Sequence, residues 1–340
     1  MRTNLLERVL KTVKHYDMIA PGDSVLVTLS GGPDSVLLLH ALVGLKGKLK
    51  LAKISVCHLD HGLRGEESAG DSVFAKRFAA SLGLEFLHKK VDLRKKRSKD
   101  LSTEEEARLE RYRFFVQAAA KAGANVIATG HTLDDQAETI LMRIIKGASL
   151  KGIVGIAPVR QEGGLRIIRP LMQIEKHEIA GYLEANGIDY RVDRTNLEPI
   201  YFRNVVRGEI LPFLEKYNPR LKHALFSLAE HLREDFDFIE QEKARARAHL
   251  RPTEDGKVAI SLKDIVIQPK ALQKEILRDA LEKAGGEVKR LTFRHWKDLE
   301  HFIKYKRKGN SLDLPGSIRV SRTESALEFH LLPHPKRVAL

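Results

Sequence analysis

Two hydrophobic rhythms alternate through the first part of the chain. Strand-like stretches at Ser24–Leu29, Lys53–Leu59, Glu85–Val91 and Asn125–Thr129 are the strand candidates. Between them, Ser35–Leu42, Glu67–Leu82 and Thr103–Ala122 carry helical spacing, and Gly123 closes the last of these. Strand and helix in alternation predict right-handed crossovers and a doubly wound, mostly parallel α/β sheet. Further on, Arg166–Pro170 reads as a short strand and Glu175–Asn186 as a helix ended by Gly187.

The pattern changes after Pro212. Leu221, Leu225, Leu228, Leu232, Phe236 and Ile239 trace one face of a long helix whose far end is the basic KARARAHLR. Short segments follow, broken at Gly285–Gly286, and then a basic KYKRKGN at Lys304–Asn310. LDLPGSIRV and ALEFHLL predict a terminal hairpin or two edge strands. The expected organisation is a catalytic α/β domain over 1–215, then a connector helix and a smaller mixed α+β region over 216–340.

Composition narrows the class. The chain has 340 residues, 43% hydrophobic and 31% charged, as in soluble globular proteins. Its longest nearly unbroken apolar run, Val36–Leu45, is too short to cross a bilayer. MRTNLLERVLKTV lacks a signal-peptide core, so a cytoplasmic setting with no membrane partner is expected. The lone cysteine, Cys57, excludes a disulfide framework, a CxxC redox pair and a Cys-ligated cluster. A formal charge of +14 favours a polyanionic partner, because neutralising phosphates releases counterions. The region from Lys216 onward carries 26 basic against 18 acidic residues and is the more basic part per residue.

The polar knot SGGPDS, Ser30–Ser35, sits between two apolar runs. In an open α/β sheet, ligands bind where a strand ends and a loop enters a helix. Glycines let the backbone approach closely, and the helix N-terminus offers N–H groups to an anion. Ser30 and Ser35 add hydroxyls. Asp34 would repel a phosphate unless a cation such as Mg²⁺ lay between them. No lysine follows the glycines, so this is not a Walker loop. The same residues also suit a plain turn in which Asp34 or Ser35 caps the helix.

Further motifs carry similar alternatives. SVCHLDHGLRGEES, Ser55–Ser68, ends a strand and opens a loop. His58 and His61 have metal-like spacing but no third ligand. The loop flanks a nucleotide, with Arg64 near phosphate or RNA, or it is held by His–Asp hydrogen bonds. In IATGHTLDDQAETILMRIIKG, Ile127–Gly147, a strand ends at Gly130 and a helix begins near Thr132. Helical spacing puts Ala137, Ile140, Leu141 and Ile144 on the core face, and Asp135, Glu138 and Met142 opposite. The two carboxylates can bind a cation or a substrate ammonium, or they complement the first helical turn with Thr132 as cap. In EEEARLERYRFF, Glu104–Phe115, and its continuation, Leu109, Tyr112 and Val116 are expected in the core, with Arg108 and Arg111 elsewhere, as ordinary surface arginines would be. Arg191, Arg194, Arg203 and Arg207 crowd Asp189–Leu214; they suit an oxyanion or a charged interdomain loop.

SGGPDS matches the SGGxDS signature of the PP-loop ATP pyrophosphatases. Taken with HLDHGLRGEES, ATGHTLDDQAETILMRIIKGASLKGI, IIRPLMQIEKHEI and DRTN…YFRNVVRGEILP, in that order, the chain closely resembles the tRNA(Ile)-lysidine synthetase family over roughly Ser24 to Phe213. The resemblance implies ATP and Mg²⁺ as cofactors. It implies free L-lysine and an isoleucine tRNA with a CAU anticodon as substrates, and it admits a homodimer. Ser30, Gly31, Gly32, Pro33, Asp34 and Ser35 would hold ATP, Asp34 through Mg²⁺, with His58 and Gly130 beside the nucleotide. Asp135 and Glu138 would position lysine or a cation. Arg111 and Arg203 would orient phosphate or developing charge, and Arg64 and Arg207 would contact substrate. The resemblance is looser beyond Lys216, where tRNA binding is expected. The alternatives are a tRNA thiolase, another PP-loop enzyme, or a non-catalytic tRNA-binding protein on the same scaffold.

Overall fold

The computed structural model describes residues 5–60, 66–91, 103–191, 202–246, 250–252, 258–286, 288 and 291–332. Arg64, His61 and Arg194 lie outside the described residues. The chain divides into two compact units, Met1–Leu232 and Arg233–Leu340.

The first unit is built on six strands: β1 (Ser24–Thr28), β2 (Lys53–Asp60), β3 (Glu85–Lys90), β4 (Val126–Ala128), β5 (Val159–Glu162) and β6 (Leu165–Ile168). Their spatial order is β3-β2-β1-β4-β6-β5. All neighbours are parallel except β5 and β6, so β5 is an antiparallel edge that the sequence pattern does not signal. The order reverses between β1 and β4, so the loops that leave these two strands open side by side.

Alternation along β1 shows why the sheet is covered on both faces. Val25 and Val27 join one apolar cluster with Val126, Ala128 and Ile168, while Leu26 joins the other with Cys57, Ile127 and Ile167. Helix α1 (Leu5–His15) and α2 (Pro33–Leu49) contribute to the first cluster. The run Val36–Leu42 is apolar almost all round because α2 packs against β1, α1 and α7 (Lys176–Ala185). Also in this unit is α3 (Glu66–Ser81).

Helix α4 (Thr103–Ala122) covers the other face through Phe114, Phe115, Ala118, Ala119 and Ala122. This corrects the register expected for it. Leu109 and Val116 are exposed, and Tyr112 only flanks the cluster. The buried residues of α4 are the adjacent pairs Phe114–Phe115 and Ala118–Ala119 with Ala122, not the expected i, i+3 series.

The rest of the first unit consists of α5 (Leu133–Ile145), α6 (Leu150–Ile153), α8 (Phe202–Val205), a π-helical turn (Val206–Ile210), α9 (Leu211–Glu215) and the start of α10 (Leu221–Ala246). Leu225 and Ala229 of α10 pack with Ala137, Ile140, Leu141, Val206 and Leu211. Those contacts hold the first turns of α10 in the first unit and explain why the division falls at residue 232. Leu228, expected on the buried face, is exposed.

The second unit has an antiparallel sheet ordered β7-β8-β11-β10-β9, made of β7 (Leu250–Pro252), β8 (Val258–Ser261), β9 (Ser311–Leu314), β10 (Ile318–Arg322) and β11 (Ala326–Leu331). LDLPGSIRV is itself a hairpin, turning at Gly316 and Ser317, both with positive φ, and β11 adds to it. Helices α11 (Leu262–Val266), α12 (Lys270–Lys283) and α13 (Phe293–Tyr305) share a core with this sheet that includes Leu277, Trp296, Phe302, Val320 and Phe329.

Candidate active site

The loop after β1 is tied shut by its own serines. Ser35 Oγ donates to the Gly32 carbonyl at 2.9 Å and lies 3.0 Å from Ser30 Oγ. The Ser30 N–H donates back to Ser35 Oγ at 3.1 Å. Ser35 therefore shapes the loop from beneath. Gly31 has φ +94°, a conformation costly for any residue with a side chain. Gly32 is the N-cap of α2 and Pro33 opens its first turn, where a missing N–H costs nothing. Arg191 closes the loop from outside: its N–H donates to the Gly31 carbonyl at 2.9 Å, and its side chain runs past Gly31 to Asp71.

His58 supports the loop from behind. It is buried, its Nδ1 lies 2.7 Å from the carbonyl of Leu29, and its ring stacks near Phe86 and His88. Burial pushes its pKa down, so it is a neutral donor to the strand end. Gly130 makes the second loop fit against the first. A Cβ there would stand 3.2 Å from Asp34 C and Ser35 N, so a side chain would force the β4–α5 loop and the cradle apart by a few tenths of an ångström.

Asp34 is the unsatisfied member of the cradle. Its Oδ1 is buried and has no hydrogen-bond partner among the described residues. Desolvation pushes the carboxyl up to about 7; Lys176 opposes that rise most, and Asp135 and Asp134 add to it. An orphaned buried carboxylate oxygen at a loop of this kind fits a hard cation. Among the described residues no group of three or more His, Cys, Asp and Glu could hold a metal by itself. Such a cation would therefore take most of its oxygens from phosphates and water.

The acidic pair is deeper than its helical spacing suggests. Thr132 caps α5, and Asp135 completes a capping box through Oδ2, which accepts from the Thr132 N–H and hydroxyl at 2.9 Å each. The capping alternative is thus present, but it uses one oxygen only. Asp135 Oδ1 accepts Lys176 Nζ at 3.0 Å and an Arg203 N–H at 3.1 Å. Glu138, 1% exposed, accepts Arg203 Nε at 2.7 Å on Oε2 and Arg207 Nε at 2.6 Å on Oε1. Two carboxylates thus sit under three cations, and Lys176 and Arg203 hold Asp135 far below the usual carboxylate range against the effect of burial. The arginines come from α8 and the π-helical turn, which cover this face of α5. That is why Asp135 and Glu138 are buried, while Ile144, expected in the core, is exposed.

Two residues near the cluster carry no clear sequence signal. Lys176 opens α7, and its N–H donates to Asp134 Oδ2 at 2.8 Å. His131, between Gly130 and Thr132, lies 2.9 Å from Thr129 Oγ1, and burial with the fields of Arg169, Arg203 and Arg111 holds it down at about 4. Arg111 itself is exposed on α4. Lys176 was legible only as part of the EKHEI run.

The PP-loop domain family matches residues 1–214. The chain is 36% identical over 326 residues to the tRNA(Ile)-lysidine synthase of Clostridioides difficile (strain 630), covering 95% of this chain and 70% of that protein. The chain belongs to the tRNA(Ile)-lysidine synthase family. It is also 40% identical over 293 residues to the tRNA(Ile)-lysidine synthase of Symbiobacterium thermophilum, covering 84% of this chain and 60% of that one. The chain therefore spans 60 to 70% of the length of these two relatives. Among solved structures, the U34-tRNA thiolase NcsA from Methanococcus maripaludis, with its [4Fe-4S] cluster, superposes with a TM-score of 0.56 at 21% identity, covering 67% of this chain and 78% of that one. That likeness shows the shared α/β fold. A PP-loop domain implies ATP as the nucleotide.

Proposed function

We propose that this chain joins free L-lysine to the 2-position of the wobble cytidine of an isoleucine tRNA with a CAU anticodon. The supporting observation is the buried, unpartnered Asp34 Oδ1, set in a glycine cradle within electrostatic reach of Lys176, Asp135 and Arg207. The cytidine 2-carbonyl oxygen attacks the α-phosphorus of ATP and pyrophosphate departs. The lysine amine then attacks C2, the C2–O bond breaks, and AMP leaves with that oxygen.

Each part of the site has a task in this scheme. Gly31, Gly32 and the first turn of α2 receive the departing phosphates. Asp34 would hold Mg²⁺, which would supply positive charge to the phosphates when bound. Arg203 and Arg207, fixed by Glu138, present guanidinium groups where negative charge builds. Asp135 offers Oδ1 to the ammonium of lysine. Holding three reactants together removes most of the encounter cost. Residues 1–215 form the catalytic part, 216–340 the basic tRNA-binding part, and the reaction runs in the cytoplasm.

Cys57 bears on the thiolase alternative. It is buried in β2 and burial pushes its thiol well above the ordinary value, so it offers no thiolate to carry sulfur. The test is mass analysis of a CAU-anticodon isoleucine tRNA transcript incubated with the protein, ATP, Mg²⁺ and lysine. The wobble nucleotide gains lysine minus water if the proposal holds. An unchanged mass contradicts it, and an oxygen-to-sulfur exchange with a sulfur donor would point to thiolation.

A further inference from the structure

Asp135 Oδ1, the oxygen that the proposed function reserves for substrate lysine, already carries an ammonium. Lys176 Nζ sits on it at 3.0 Å. The occupant belongs to the same chemical class as the substrate. It is also the least tightly held of the three cations. Arg203 spans Asp135 and Glu138, and Arg207 grips Glu138 with two nitrogens. Lys176 has one side-chain contact among the described residues. A lysine ammonium has three donors, so two remain for an incoming anion.

A second observation gives Lys176 a destination. It sits on Asp135 at the start of α5, and the loop that enters α5 packs against the cradle, with a Cβ at Gly130 standing 3.2 Å from Asp34 C and Ser35 N. That cradle lacks the lysine with which Walker loops meet phosphate. An ammonium from the first turn of α7 is placed to supply it.

We propose that Lys176 is a positioning residue that couples the two small substrates: it occupies the lysine subsite on Asp135 until nucleotide phosphate draws it away. ATP binding then opens the subsite, and lysine binds productively only after ATP. Asp135 stays satisfied throughout, because Arg203 and the capping box remain. The coupling is reciprocal, so lysine must tighten nucleotide binding by the same factor. This inference rests on the lysine-ligation reading of the site.

The test is equilibrium dialysis of labelled lysine against the full chain, with and without a non-hydrolysable ATP analogue and Mg²⁺. The wild type should bind lysine at least tenfold more tightly with the analogue present. Lys176→Met should bind lysine equally well in both states, at the tighter level. Lys176→Arg, whose planar fork grips a carboxylate more firmly, should weaken lysine binding tenfold or more while keeping nucleotide binding within about threefold. This second variant decides the matter if Lys176→Met does not fold. Lysine affinity indifferent to nucleotide in the wild type, or a Lys176→Arg variant that binds lysine normally, overturns the coupling. A merely structural Lys176 would weaken lysine and nucleotide alike in both variants. Absence of lysine transfer by the wild type, by contrast, would overturn the ligation reading itself.

Discussion

Replacing Glu138 by glutamine tests the clamp on which the site is built. The substitution preserves shape and removes one negative charge from a cluster of two carboxylates and three cations. Arg203 and Arg207 then face an amide, and each loses its strongest partner. Breaking a fully buried ion pair from one side costs about 3–5 kcal/mol. Here the two arginine side chains are 38% and 33% exposed, so water recovers part of that. We take about 2–3 kcal/mol. For a unit of this size, about 2–4 °C of melting temperature accompanies each kcal/mol, so the first unit should melt about 5–10 °C lower. The assay is thermal unfolding of the full chain at neutral pH, repeated for Arg207→Met and the double variant. The double variant should lose less than the sum of the singles, by about 1 kcal/mol or more. A Glu138→Gln melting temperature within about 1 °C of wild type would refute the reasoning, as would strict additivity.

The second loop gives a different signature: Gly130→Ala places a methyl 3.2 Å from the backbone of Asp34 and Ser35, which cannot rotate away, so KM for ATP should rise while stability falls by about 1–3 kcal/mol. Measured KM values decide it, and an unchanged KM for ATP would contradict the close approach. His131 titrates at about 4 when folded and 6.5 as a free group, so the unfolded chain binds the extra proton first. His131 should therefore withdraw up to about 1.4 kcal/mol of stability per pH unit as pH drops from 6.5 to 4, against the opposite slope of the raised Asp34 carboxyl, so the difference between wild type and His131→Gln in urea titrations isolates it. Lys222 joins Asp134, Glu175 and Glu215 at 2.8, 3.0 and 3.4 Å, so Lys222→Met should leave three crowded carboxylates and lower stability by about 1–3 kcal/mol, measured by urea unfolding.

The sheet was legible because β1, β2 and β4 carry compact runs rich in β-branched residues, while β3, EFLHKK, followed from the alternation of strand and helix. β1 to β4 fall within a residue or two of the expected limits. The edge strand β5 was not legible, since three of the four residues in Val159–Glu162 are polar and it pairs only with its neighbour β6. On α4 the expected stripe was rotated, because Leu109 and Val116 are apolar yet lie outside the contact made by Phe114, Phe115 and the alanines. At the site, SGGPDS announced the cradle, and Asp135 with Glu138 announced the acidic pair. What sequence could not show is that both carboxylates are covered. Their partners Arg203 and Arg207 lie more than sixty positions away, and Lys176 some forty, so only folding brings them together.

In the proposed reaction the cytidine oxygen leaves with AMP, and a transcript carrying ¹⁸O at the 2-position of the wobble cytidine, incubated with the protein, ATP, Mg²⁺ and lysine, follows that atom. The account predicts that each lysine joined yields one AMP bearing the heavy oxygen on its phosphate. Unlabelled AMP, with the heavy oxygen retained in the tRNA or released to water, would contradict it.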